Sequence, residues 1–374
     1  TSRPGWVAAE GRNVTERQSE RHSKELLSAL AAVAPGRPLR EGLDRILKAG
    51  MGALIVIGDG PEVLNISSGG FLVNASFSPQ RLSELAKTDG AIVLTPDAGY
   101  IARANVHLVP NPNVPTEETG TRHRTAERVA RSIGVPVISV SEDMAVVTVY
   151  TKNERYQLES IPAILGRCNQ ALQTLERYKS RLDEVSANLT SLEVEDIVTL
   201  RDVVTLLQRA ELVARISEEI EQYLTELGTD GRLVRLQLRE LMAGVEDERR
   251  LVVRDYFQQD SSWNLEQAIG TLSDLSIDEL LDAEEVVHSL HLSGQTDDLD
   301  ASIEPRGYRM LARIPRLPDL VAERLVAEFG ALDKLTRASV GEMASVEGVG
   351  EHWAVTIKDA LARIAESSIL DRYA

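Results

Sequence analysis

The sequence predicts an α/β domain with a mixed sheet and flanking helices at the N-terminal end, then an all-α helical spine, then a small all-α C-terminal domain. Three observations carry this reading. Up to Tyr150, short apolar runs alternate with amphipathic helical stretches, the pattern of layered α/β folds. Between Ile161 and Leu192 the apolar positions Leu165, Cys168, Leu172, Leu175, Tyr178, Leu182, Val185, Leu189 and Leu192 step by three or four, drawing one stripe along a single long helix. Near the end, short helical stretches are punctuated by glycine and proline. The expected divisions are a tail over 1–22 without apolar period, then 23–152, 153–303 and 304–374.

Taken in order, Glu25 to Val33 and Leu39 to Leu47 read as short amphipathic helices, the first stopped by Pro35-Gly36. Strands are expected at Ala53–Ile57, Val63–Ile66 and Phe71–Val73, followed by a helix over Ser78–Lys87 with Pro79 just inside its start. Further strands are expected at Ala91–Leu94, Ile101–Val109, Val135–Val140 and Ala145–Tyr150. Between them a helix starts at Thr125, where Ala126, Val129, Ala130 and Ile133 recur at helical spacing, and stops at Gly134 and Pro136. The spine continues as Glu195–Leu227, Arg232–Gln259 and Leu265–Leu292, with breaks near Gly228 and Ser261-Ser262 and a linker over Gly294 to Glu304. The last part holds a helix over Leu320–Phe329, ended by Gly330, and two short helices around Val346-Glu347-Gly348-Val349-Gly350.

Composition narrows the function classes. A chain of 374 residues, 43% hydrophobic, buries more than one core. Its single cysteine, Cys168, permits no internal disulfide and no cysteine zinc cluster; on the apolar stripe it reads as a buried structural thiol. No apolar run reaches the roughly 20 residues of a membrane span, so a cytoplasmic, membrane-free protein is expected. The net charge of −17 is unevenly placed: 16 basic and 16 acidic residues up to position 150, 15 and 32 over 151–305, 10 and 10 over 306–374. The acidic middle is expected to be a solvated face that repels phosphate, leaving nucleic acid to the neutral C-terminal end. His288 and His291 lie one helical turn apart, but no further ligand accompanies them as a metal site.

The stretch Thr119-Gly120-Thr121-Arg122-His123-Arg124-Thr125-Ala126-Glu127 places hydroxyls, a glycine and two guanidinium groups at the mouth of a helix. Unpaired backbone N–H groups there attract anions, and each arginine fork can grip two phosphate oxygens. The competing reading is an ion-pair face, with Glu127 neutralising the arginines. Upstream, Asp89-Gly90-Ala91 leads a helix end into a buried strand, and Gly52-Ala53-Leu54-Ile55-Val56-Ile57-Gly58 and Ser68-Gly69-Gly70-Phe71 complete the set. Together these residues resemble the diadenylate cyclase family, whose signatures Asp-Gly-Ala and Arg-His-Arg stand here as 89–91 and 122–124.

That resemblance implies the following roles. Asp89 holds a divalent metal, Mg2+ or Mn2+, and helps activate a ribose 3′-hydroxyl; Gly90 and Leu108 line the nucleoside. Thr121, Arg122, His123, Arg124 and Thr125 hold the triphosphate of ATP, and Ser141 lies near the base. Ser68 departs from the family, in which an acid often occupies this position. The implied reaction joins two ATP into cyclic di-AMP and releases two pyrophosphates. One chain carries one motif set while the product is two-fold symmetric, so two chains must face each other. The resemblance further implies a homo-oligomer with facing cyclase domains, an octamer.

Near the end, Val346-Glu347-Gly348-Val349-Gly350 between two helices resembles a helix-hairpin-helix, whose glycines let backbone approach a DNA phosphate without reading bases. Gly348, Val349, Gly350 and Arg316 are the expected DNA contacts, Arg316 as part of the run Arg306, Arg309, Arg313 and Arg316. Glu351 replaces the basic or small residue of many relatives, and the first hairpin, at Ile314–Pro318, lacks both glycines. The order of parts is similar to the DNA-integrity scanning branch of the cyclase family, which implies binding of branched DNA with little sequence preference, and a nucleoid association. Two alternatives stay open: a DNA-repair accessory protein whose N-terminal domain binds ATP only as a sensor, and a structural oligomeric scaffold.

Overall fold

The computed structural model describes residues 22–257, 264–290, 292 and 298–373. Two compact units result: one of residues up to Ala171 with Glu219–Gln237, the other of Leu172–Glu218 with Leu238 onward.

The first unit opens with helices α1 (Lys24–Ala32) and α2 (Pro38–Lys48). Ser23 caps α1 by accepting from Leu26 N–H, and Pro38 starts α2 where no N–H is needed. Next come β1 (Ala53–Ile57), α3 (Pro61–Asn65), β2 (Ser67–Ser68), β3 (Phe71–Ser76), α4 (Pro79–Leu85), β4 (Ala91–Leu94) and β5 (Tyr100–Leu108). Helix α5 (Thr121–Ile133), β6 (Val137–Val140), β7 (Val147–Tyr150) and β8 (Arg155–Gln157) complete the domain. The sheet runs β2-β5-β4-β1-β6-β7-β8, with β3 on β5; β1 and β4 are parallel and the other pairs antiparallel.

Helices cover both faces of this sheet, which is why its central strands are apolar throughout. Strand alternation sends Ala53, Ile55, Ile57, Ile92 and Leu94 into one core with Leu30, Leu43 and Leu82. Leu54, Val56, Ala91 and Val93 enter a second core with Ala126, Val129 and Ala130 of α5. Each large aliphatic side chain so buried contributes about 1.5–3 kcal/mol.

The segment expected as a strand at Val63–Ile66 is helical instead: Pro61 supplies a helix-start φ, and Ser67 Oγ closes the turn on Val63 O at 2.7 Å. Strand β8, unforeseen, pairs with β7 across Thr148–Tyr150. Its charged residue Arg155 masked the alternation.

Helix α6 (Ile161–Glu195) passes through both units, and α7 (Leu200–Leu227) follows. Cys168 is buried, and burial pushes its thiol up to about 11, so it is inert packing. Residues Arg232 onward form not one helix but α8 (Arg232–Leu241) and α9 (Val245–Tyr256), split at Gly244, whose φ is +77. Likewise α10 (Leu265–Asp274), α11 (Ile277–Leu281) and α12 (Ala283–Ser289) replace a single expected helix, because Ser276 and Asp282 each cap a new start. The expected break at Ser261-Ser262 lies outside the described residues, as does His291.

The second unit ends in five helices: α13 (Tyr308–Ala312), α14 (Asp319–Phe329), α15 (Leu332–Arg337), α16 (Val340–Ser345) and α17 (Gly350–Tyr373). They share one core of Met310, Leu311, Leu325, Leu335, Met343, Val349, Ala354 and Ile357. Among the described residues, no helix is long and apolar enough to cross a membrane.

Candidate functional site

The strand register gathers the site at one end of the sheet. Ala53 at the start of β1 pairs with Val140 at the end of β6, while Leu54 pairs with Ala91 at the start of β4. Whatever precedes β1 and β4, and whatever follows β6, therefore meets at one edge. A cleft of about 260 Å3 opens there, walled by Gly52, Ala53, Leu54, Lys87, Thr88, Asp89, Gly90, Glu142 and Arg122.

Each wall has a local cause. Gly90 has φ +92, and a Cβ there would stand 2.9 Å from the β5 backbone at Asn105 and Val106, so only glycine lets Asp89 turn into β4 at this spot. Asp89 itself is exposed at the cleft. Gly52 is bare for a different reason: a Cβ would fall 2.0 Å from Arg122 Nη1, so the guanidinium takes the space a side chain there would fill. Arg122 Nη1 also reaches Val140 O at 3.5 Å, a weak contact that leaves most of the fork unused.

Helix α5 begins at Thr121, four residues earlier than its apolar period indicated, so Arg122, His123 and Arg124 form its first turn. Gly120 is its N-cap and offers no side-chain cap, leaving the first-turn N–H groups available to a ligand. Among the described residues, neither Arg122 nor Arg124 has a carboxylate within ion-pair distance; Glu127 pairs with Arg131 at 2.9 Å. The ion-pair-face reading of the triplet therefore fails.

The other motif residues are placed differently. Arg124 donates to Glu118 O and Thr119 O at 3.3 and 3.2 Å, while Arg128 and Arg131 hold Val114 O and Pro115 O, so three arginines of α5 clamp the preceding loop. Thr125 Oγ1 bonds back to Thr121 O. His123 turns inward, its Nδ1 2.8 Å from Tyr150 Oη, and Tyr150 Oη donates to Glu118 Oε1 at 2.7 Å. Arg155 Nε pairs with the same carboxylate oxygen at 2.6 Å. Burial lowers the His123 pKa against the opposing pull of Glu118, and burial with Glu118 raises that of Tyr150. Leu108 is buried in the core beside α5 and is not part of the cleft wall. Ser141 opens the turn after β6, where its Oγ accepts from Met144 N–H, and its neighbour Glu142 reaches the cleft. Sequence reasoning missed Glu118, Tyr150 and Arg155, because no spacing links residues from a loop and two strands.

A hard divalent cation fits this donor set. Among the described residues, no cluster of three His, Cys, Asp or Glu side chains could hold a metal alone. Mg2+ keeps several waters and takes one or two carboxylates plus substrate phosphates, which asks of the protein only what Asp89 offers.

The C-terminal site departs from expectation at its cationic run. Arg309 is 2% exposed, and its guanidinium is held by Glu193, Glu248 and Ser186. Arg306 donates to Phe257 O and Arg313 to Thr190 Oγ1. Asp255 accepts the N–H groups of Gly307, Tyr308 and Arg309 at 2.6–2.8 Å. Three of the four arginines thus fasten α13 to the spine helices, and Arg316, exposed with φ +63, is the one left outward. The acidic middle is accordingly not all solvated face: Glu193 and Glu211 are buried against Arg309 and Arg249. In the second hairpin Gly348 and Gly350 have φ +82 and +62 and are exposed, whereas Val349 points into the core and offers only backbone. Arg324 Nη1 bonds Glu347 O at 2.6 Å beneath Gly348.

An α/β domain whose cleft joins a carboxylate, a bare glycine backbone and an uncommitted arginine at a helix start defines a nucleotide-binding class of protein. Residues 40–155 match the family model described as DisA bacterial checkpoint controller nucleotide-binding, and residues 158–299 match its linker region. The DNA integrity scanning protein DisA of Parafrankia sp. is 55% identical over 92% of this chain and 97% of its own length. That of Frankia casuarinae shows the same identity and coverage, and that of Streptomyces coelicolor is 51% identical over 92% of this chain and 93% of its own. The chain belongs to the DisA family of DNA integrity scanning proteins.

Proposed function

We propose that the N-terminal domain condenses two ATP into cyclic di-AMP with release of two pyrophosphates, at sites completed by a second, facing chain. The observation that carries this reading is the meeting in one cleft of Asp89, Gly90 and an Arg122 that has no ion-pair partner among the described residues. Arg122 and the uncapped N–H groups of α5 bind the triphosphate, where the helix start favours negative charge. Gly52 and Gly90 line the same cleft and leave backbone at its wall for the nucleotide to approach. Asp89 orients the 3′-hydroxyl for in-line attack on the α-phosphorus of the ATP bound to the facing chain. A divalent cation held by Asp89 and the phosphates supplies charge neutralisation when bound. Incubation with ATP and Mg2+ or Mn2+, with the product identified by mass, tests this; ATP bound but unreacted would leave a sensor.

The C-terminal hairpins serve the same proposal as a DNA end, with Gly348 and Gly350 offering backbone to phosphate and Arg316 offering charge. Such contacts read no bases, so DNA shape becomes the discriminating feature when several chains assemble, and branched DNA slows the cyclase. Truncating at residue 305 would strip the carboxylates of Glu193 and Glu248 of Arg309 and Asp255 of its three backbone donors. The fitting test is therefore Arg316→Glu: the account expects cyclase activity to persist while inhibition by a four-way junction weakens. Undiminished inhibition would place the DNA contact elsewhere.

A further inference from the structure

Strand β8 turns a different side chain to each face of the sheet, and each is tied to a different part of the first unit. Arg155 stands opposite Tyr150, and Tyr156 opposite Val149. Tyr150 belongs to the core beneath α5 and Val149 to the core beneath α1 and α2, so these neighbours in β8 point to opposite sides. On the α5 side, Arg155 Nε and Tyr150 Oη both hold the Glu118 carboxylate. Glu118 and Thr119 lead directly into Gly120, the N-cap of α5, and the Glu118 carbonyl accepts from Arg124 of that helix's first turn. On the other side, Tyr156 Oη donates to Glu226 Oε1 at 2.6 Å, across 70 positions of sequence.

Glu226 sits in the last turn of α7, and that turn is firmly seated. Gly228 has φ +49, a Cβ there would meet Pro35 O at 2.3 Å, and Thr229 N–H donates to the same carbonyl at 3.2 Å. The end of α7 thus rests backbone to backbone on the turn between α1 and α2. Strand β8 is the weaker element: three residues long, at the end of the sheet, paired among the described residues with β7 alone. Glu226 is also more than packing requires. It is 6% exposed, its Oε2 has no hydrogen-bond partner among the described residues, and burial pushes its carboxyl above the ordinary value. An aliphatic side chain of like size would fill the place without that cost, whereas only an acceptor can hold Tyr156. We infer that Glu226 is a positioning residue for the nucleotide site: through Tyr156 it fixes β8, β8 holds Arg155 against Glu118, and Glu118 sets the chain entering the mouth of α5. This inference rests on the ATP site proposed above.

The test is titration calorimetry with 3′-deoxy-ATP, which lacks the attacking hydroxyl, plus Mg2+, alongside urea unfolding of each variant. Glu226→Leu and Tyr156→Phe are each expected to bind about 2–10-fold more weakly, the value of one hydrogen bond, with the unfolding midpoint of Glu226→Leu held or raised. Should Glu226→Leu fold poorly, Tyr156→Phe carries the test. Glu226→Gln keeps an acceptor for Tyr156 and should bind as the intact chain does. Arg155→Ala should also weaken binding, and adding Tyr156→Phe to it should weaken binding little further, because both break one path. Unchanged affinity in Glu226→Leu and Tyr156→Phe overturns the inference alone. So does a Glu226→Gln as weak as Glu226→Leu, or a double variant whose loss is the product of the two single losses. Failure of the intact chain to bind overturns the ATP site and this inference with it.

Discussion

Arg122 and Arg309 each sit in an Arg-rich turn at the start of a helix, and the fold uses them in opposite ways. Arg122 lies on bare glycine backbone at an open cleft, with no carboxylate within ion-pair distance among the described residues. Arg309 is sealed among Glu193, Glu248 and Ser186. The difference lies in the neighbours: an arginine whose fork is already filled is structural, and one left unfilled at a concave surface awaits an anion. Predictions therefore separate stability from ligand binding.

The largest expected effect is on stability. Arg309→Met leaves the buried Glu193 carboxylate without its cation and should cost about 3–5 kcal/mol by urea unfolding. A loss below about 1 kcal/mol would mean the buried cluster is replaceable packing. Next comes Asp89→Asn, expected to lower cyclic di-AMP turnover about 100-fold, some 2.7 kcal/mol, while ATP affinity and unfolding midpoint hold. Retention of more than about a tenth of turnover removes Asp89 from the chemistry. The smallest effect belongs to Arg316→Ala: DNA binding should weaken equally for unrelated sequences, and the slope of log K against log salt should flatten by about 0.9. An unchanged slope would show that Arg316 meets no phosphate.

These regions also differ in how far the sequence revealed them. The central strands were legible because helices cover both faces of the sheet, so each strand is an unbroken apolar run such as Ala53–Ile57. Asp89, Gly90 and Arg122 were legible as motifs, and strand register brings them to one cleft. What stayed hidden depends on tertiary partners. The run Arg306 to Arg316 reads as a solvent-facing basic patch until Glu193, Glu248 and Thr190 arrive from helices far away in sequence. Glu118, Tyr150 and Arg155 share no spacing that would announce one relay. Helix α5 began early because Thr121 to Arg124 are polar, and a periodicity of apolar residues cannot register a first turn made of polar ones.

The contrast between the two arginines is tested most directly by measuring ATP affinity and unfolding free energy on the same pair of variants, Arg122→Ala and Arg309→Met. Arg122→Ala should lose about 1.5–3 kcal/mol of ATP binding, the value of a charge-assisted contact, with stability unchanged. Arg309→Met should lose stability while its folded fraction binds ATP normally. The account is contradicted if Arg122→Ala destabilises the fold and leaves ATP affinity intact.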